Sequence, residues 1–185
     1  MSTPHEVAAS TATVPCTGCG AQVPDVDGPT HAYLSASPGC WQRYGEVATS
    51  LLAGAGDTAA RWCHVDCYAA QHPGGAEHDR RQRQSVAVHL TALCLLVHHG
   101  VPANRVAALR GRLSQTVLPR LGLADWPYLT PPTTPGTVTV AEVHAAHQDD
   151  RVAVGERWLG AVWSAWSAHH RTVQEWAQAA LGGRG

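Results

Sequence analysis

The chain has 185 residues, enough for one domain that buries roughly 70% of the surface its unfolded form exposes. Phe, Ile and Lys are absent while Trp occurs seven times, so the core must be built from Leu, Val, Ala and indoles whose N–H groups need partners; Schiff-base catalysis and a G-x-x-x-x-G-K-[ST] phosphate loop are excluded with lysine. A net charge of −1 gives no strong nucleic-acid signal and no attraction to an anionic membrane.

Residues 1–14 combine no charged n-region with an apolar h-region and are expected to be disordered rather than a secretory leader. The longest apolar run, "LTALCLLV" at 90–97, is far too short to cross a bilayer. The chain therefore reads as cytoplasmic, where cysteines at knuckle spacing serve as metal ligands or redox groups rather than as a disulfide framework. Residues 15–37 read as a turn-rich, cysteine-containing loop module, and 38–182 as a helical bundle, one domain overall.

In the loop module, "CTGCG" sets Cys16 and Cys19 at C-x-x-C spacing, which aims two sulfurs at one ion, with glycines suited to the tight turn. Ser37-Pro38 opens the first helix with a hydroxyl at the N-cap and proline at N1, so Cys40 falls in the first turn, where the helix dipole favours a thiolate. Cys40 is the third ligand. For the fourth, His31 lies in the same loop and His72 near the end of the second helix; spacing does not choose between them, and His31 is preferred as the nearer.

Helical signals dominate from there. Trp41, Tyr44, Val47 and Leu51 recur at helical spacing until Gly54 and Gly56. A second helix is predicted over about 58–72, stopped by Pro73-Gly74, and a third over about 84–99, with Val86, His89, Leu93 and Val97 on one stripe. "DRRQR" at 79–83 reads as a solvated approach to that helix. Residues 102–121 read as a fourth helix with Gly111 inside it, and "WPYLTPPTTPGTVTV" as a break. Thr139 and Glu142 form a capping-box pattern. Beyond it Trp158, Val162, Trp166, His169, Val173 and Trp176 make the cleanest amphipathic stripe. No strand-period segment of useful length is present. The predicted fold is mainly α, a bundle of about five to six helices with a turn-rich, metal-stapled N-terminal module.

Three of the twelve histidines stand where an apolar residue or a helix stop would be expected: His72, His89 and His169. Asp66 lies among Trp62, Val65 and Ala69 on the inward side of the second helix. Burying such groups requires partners, and the economical arrangement is that Asp66, His72, His89 and His169 meet as one polar centre, with Tyr33 and Tyr68 as supporting donors. Separately satisfied core histidines are the alternative. Cys63 and Cys67, four apart on a helix, read as a second ligand pair or as buried small residues. No H-E-x-x-H, di-iron Glu-x-x-His or G-x-S-x-G pattern is present.

The stretches "CTGCGAQVPDVDGPTHAYLSASPGCW", "VDCYAAQHPG", "QSVAVHLTALCLLV", "WPYLTPP" with "TVTVAEV", and "WSAWSAHHRTVQEWA" together resemble a bacterial family of unknown function, DUF5946, from residue 16 to about 177. The resemblance implies that Cys16, Cys19, His31, Tyr33, Cys40, Asp66, Tyr68, His72, His89, His169 and His170 belong to the family pattern, and that Cys63, His64 and Cys67 are peculiar to this chain. It brings no reaction with it.

Two functions of different class follow. One is a small metal-dependent enzyme in which a structural zinc holds the cysteine module while Asp66, His72, His89 and His169, with Tyr33, Tyr68 and His170, act on a small-molecule substrate through acid–base chemistry or a second ion, zinc or iron. The other is a non-catalytic, zinc-stabilised binding or regulatory module; a redox protein cycling Cys16 and Cys19 is a lesser third.

Overall fold

The structure is a computed structural model and describes residues 12–182. Of the segment expected to be disordered, residues 1–11 lie outside the described residues. Thr13–Pro15 forms a strand, β1, paired antiparallel with β2 (Gln22–Pro24) in the register Val14↔Val23. Three residues per strand are too few for an alternating pattern to register in the sequence. Among the described residues the remaining elements are eight α-helices, somewhat more than expected, and two 3-10 turns, so the fold is mainly helical.

The first helix, α1 (Pro38–Ala53), begins at the predicted Ser37-Pro38, although the Ser37 hydroxyl makes no capping bond. The second, α2 (Ala59–Gln71), starts at Thr58, whose hydroxyl accepts from Arg61 N, and ends with His72 at the C-cap. Four residues earlier than predicted, α3 (Arg80–Val97) starts because the Asp79 carboxylate accepts from the N–H groups of Arg81 and Gln82. The "DRRQR" run is thus a capped helix start, and Arg83 pairs with Asp125 at 2.7 Å. The predicted fourth helix is two, α4 (Ala103–Arg110) and α5 (Leu113–Arg120), separated at Gly111. The capping box opens α6 (Val140–Ala145) as expected. The tryptophan stripe spans α7 (Arg151–Ala165), a 3-10 turn at Ser167–His169 and α8 (His170–Leu181). Among the described residues, no helix is long and apolar enough to cross a membrane.

The middle of the bundle is α2, packed on α3 and α7 and flanked by α1 and α4. It can take that place because its buried residues are mostly small, including Ala60, Cys63, Cys67, Ala69 and Ala70. Indoles fill the space around it, and their N–H groups find acceptors: Trp166 Nε1 donates to Ala70 O at 3.1 Å and Trp158 Nε1 to Gln71 Oε1 at 2.7 Å. Fully buried Gln71 in turn donates to Pro135 O and Val138 O, so one amide ties α7 and the proline-rich loop to the C-terminal end of α2. Trp158→Phe removes the donor and leaves a buried acceptor unpaired; we expect a loss of about 1–3 kcal/mol, read as a lower urea midpoint with an unchanged slope.

Candidate metal centre and adjoining cavity

In the sequence "CTGCG", Gly20 N donates to Cys16 O at 2.9 Å and Cys16 N to Ala21 O at 2.8 Å, folding both thiols to one side. A Cβ on Gly18 would lie 2.1 Å from Ser35 O and 2.5 Å from His72 Cδ2, so only glycine lets the turn press against the end of α2. Cys40 sits in the first turn of α1 as expected. His72, at the α2 C-cap, completes the group: the side-chain donor atoms of Cys16, Cys19, Cys40 and His72 all lie within 4.8 Å of one another, and all four residues are buried.

The spacing matches that of a tetrahedral ion. With metal–sulfur bonds near 2.3 Å and a metal–nitrogen bond near 2.0–2.1 Å, a regular tetrahedron has S···S edges of about 3.8 Å and S···N edges of about 3.6 Å. Cys19 Sγ and Cys40 Sγ are 3.8 Å apart, and His72 Nε2 lies 3.5 Å from Cys16 Sγ and 3.4 Å from Cys40 Sγ. A disulfide would need roughly 2.05 Å. The tautomer fits too: His72 Nδ1 lies 2.7 Å from Tyr68 O, a contact in which the ring donates and leaves the Nε2 lone pair toward the sulfurs. Tyr68 OH adds a donor to Cys40 Sγ at 3.6 Å.

Without a cation the sulfurs titrate against one another. Hydrogen bonds from Cys19 and Cys40 hold Cys16 far below the ordinary thiol range, while bonding to Cys16 and Cys19 pushes Cys40 far above it. Burial works against protonation of His72, but hydrogen bonds to Cys16 and Cys19 outweigh it and lift the ring to about 9. A divalent ion relieves this conflict by stabilising all the deprotonated donors together.

His31, the residue preferred as fourth ligand, is not in the group. Its ring meets Tyr33 edge-on at 4.3 Å and Trp41 at 5.4 Å, and its buried Nδ1 has no partner. Proximity in sequence favoured it; the α2 C-cap, delivered by tertiary packing, decided otherwise. The expected meeting of Asp66, His72, His89 and His169 is corrected as well. His72 is committed to the sulfurs, and the helix break at Trp166 turns His169 off the tryptophan stripe, so that its Nε2 meets Thr130 O at 2.9 Å. His170 stacks on Trp163 at 3.9 Å and contacts Trp163 O. Hence no second metal-ligating group forms at those residues. Cys63 and Cys67 are buried thiols: burial and the charge of Asp66 push Cys63 up to about 12 and Cys67 well above its usual range.

Asp66 and His89 do come together. Fully buried Asp66 holds His89 Nδ1 with Oδ1 at 2.7 Å. Arg110 Nε lies 2.8 Å from the same oxygen, an ion pair by distance whose N–H is not aimed for a hydrogen bond, and Oδ2 has no partner. His89 and Arg110 line a cavity of about 570 Å³ together with Tyr33, Arg81, Ser85 and Ser114. Arg110 and Ser85 escaped the sequence reading. The only signal for Arg110 was indirect, since a buried aspartate needs a cation and the periodicity of α4 does not say which arginine supplies it.

Compared with known proteins, residues 14–167 match the family model described as a family of unknown function (DUF5946). His169 and His170 fall beyond the matched stretch. No curated protein and no solved structure matches.

With zinc as probe ion in a chelator competition, His72→Ala is expected to lower affinity by more than about 100-fold, while His31→Ala leaves it unchanged. Gly18→Ala, which removes no ligand, lowers it through the clash with His72. For the wild type, affinity falls as the pH is lowered, because protons compete for His72 and the thiols.

Proposed function

We propose a function from the site itself, because the chain belongs to DUF5946 and that family has no assigned activity: the protein is a zinc-stabilised acid–base enzyme acting on a small molecule. Three thiolates and an imidazole are the donor set of structural zinc, and four protein ligands leave no open position for a substrate. Buried free thiols accord with a reducing, cytoplasmic setting. When bound, zinc would supply fold stability, holding the loop of Tyr33 against α1 and α2.

The chemistry is assigned to the Asp66–His89 pair, and the 2.7 Å contact between them on the wall of the 570 Å³ cavity carries the reading. A carboxylate that accepts from Nδ1–H fixes the tautomer in which Nε2 is the base and stabilises the imidazolium formed when it takes a proton. His89 Nε2 has no partner among the described residues, and the side chain is 16% exposed, enough to reach a substrate without lying open to bulk water. Arg110 supplies the countercharge that lets a carboxylate stay buried. Tyr33 and Ser85 stand on the same wall as donors to a bound molecule.

The test is a mass-spectrometric comparison of zinc-loaded wild type and His89→Gln, each incubated with a small-molecule cell extract. A compound consumed by the wild type should be consumed about 100- to 10,000-fold more slowly by the variant, at equal zinc content. Equal consumption by both overturns the role of His89, and consumption by neither favours the non-catalytic, zinc-stabilised module.

A further inference from the structure

A second, smaller chamber of about 150 Å³ adjoins the cavity, sharing Tyr33, Ser85 and His89 with it. Much of its wall is aromatic, from His31, Tyr33, Trp41, Tyr44 and Tyr68, with Ala69 among the small apolar residues between them. Tyr44 and Tyr68 stack at 4.1 Å, and Trp41 lies 5.4 Å from Tyr44 and 5.7 Å from Tyr68, so flat faces and ring edges surround a space that a single six-membered ring fills. Across the shared wall the character reverses. Arg81 and Arg110 bring positive charge, Ser85, Ser114 and Tyr33 bring hydroxyls, and among the described residues no carboxylate lines the cavity, Asp66 being behind His89.

Two groups on the wall of the larger cavity lack side-chain partners among the described residues. Ser85 Oγ belongs to a residue only 8% exposed, lines both spaces and has no hydrogen-bond partner among the described residues. The Arg81 guanidinium likewise has no partner among the described residues, unlike its neighbours Arg80 and Arg83, which share Asp125. A buried hydroxyl left unpaired on a cavity wall that also carries the exposed Arg81 guanidinium is the pattern of a site whose missing hydrogen bonds come from a ligand.

We infer that the composite cavity binds a small aryl carboxylate, its ring in the aromatic chamber and its carboxylate held by Arg81, Arg110 and Ser85, so that the atoms next to the ring lie beside His89. This rests on the acid–base reading of His89 and names its substrate class. The ring is recognised by shape and by the edges and faces of the surrounding aromatics. The carboxylate is recognised by guanidinium and hydroxyl donors in a space partly shielded from water, where such bonds are stronger than at an open surface.

Equilibrium binding to the zinc-loaded full chain tests this without requiring turnover. Benzoate, acetate and benzyl alcohol are titrated while the tryptophan fluorescence of the protein, which includes Trp41 in the chamber, is followed, with calorimetry as a second readout. Benzoate should bind about tenfold or more tighter than either probe that lacks one of its halves. Arg81→Gln, a surface change, should weaken benzoate by about fivefold and leave benzyl alcohol unchanged; Ala69→Leu, which fills the chamber, should abolish both. Should Ala69→Leu fail to fold, the Arg81 variant and the comparison of probes still decide. Equal binding of the three probes, or benzoate binding indifferent to every folded variant, overturns the inference. A benzoate site with no His89-dependent turnover would sink the enzyme reading alone, and His89-dependent turnover without a benzoate site would sink the ligand class alone.

Discussion

A central helix that buries an aspartate, a glutamine and a histidine must bring a partner to each, and in this protein the partners come from separate layers of the fold. Asp66 draws His89 from α3 and Arg110 from α4, Gln71 draws Trp158 from α7 and two carbonyls from the proline-rich loop, and His72 draws the sulfurs of the hairpin loop and of α1. Unpaired, each of these groups would be strongly destabilising in the interior. The polar residues of α2 therefore determine which elements can pack where, with the apolar stripes supplying the bulk of the burial.

The same helix links metal and cavity. The segment between Cys19 and Cys40 carries His31 and Tyr33, and it is anchored at one end by the C-x-x-C turn, at the other by Cys40, and along its length by the bond from Ser35 N to His72 O. Those two rings form part of the wall of the aromatic chamber. A metal ion bound at the sulfurs would order a wall of a space it does not touch, and in the proposed function the closed site would serve shape and the open one chemistry.

Much of this was legible in the sequence because it rests on local rules. Thr58, Ser37-Pro38 and the Thr139–Glu142 box mark helix starts through chemistry contained within a few residues, and the structure places helices at all three. Cys16, Cys19 and Cys40 were recognisable for the same reason. What was illegible depends on long-range packing: His72 reaches the sulfurs only because α2 ends against the loop, and His31, closer along the chain, points at rings instead. The period that placed His169 inward assumed one unbroken helix, and the 3-10 turn after Trp166 takes His169 off the stripe while Val173 and Trp176 of α8 stay buried on it. Asp79 is the reverse case, a local cap signal masked in the sequence by the run of arginines that follows it.

The distance along the chain between Cys16 and His72 has an energetic meaning of its own. The two residues are 56 positions apart, so an ion held between them works as a reversible cross-link that encloses β2, α1 and α2 in one loop. Closing a loop of that length in the unfolded chain removes conformational entropy equivalent to about 4 kcal/mol, comparable with a native disulfide in a secreted domain. A protein living among reductants would gain by this coordination the kind of long-range tether that oxidation provides elsewhere, in a form governed by the free concentration of a metal rather than by a redox couple.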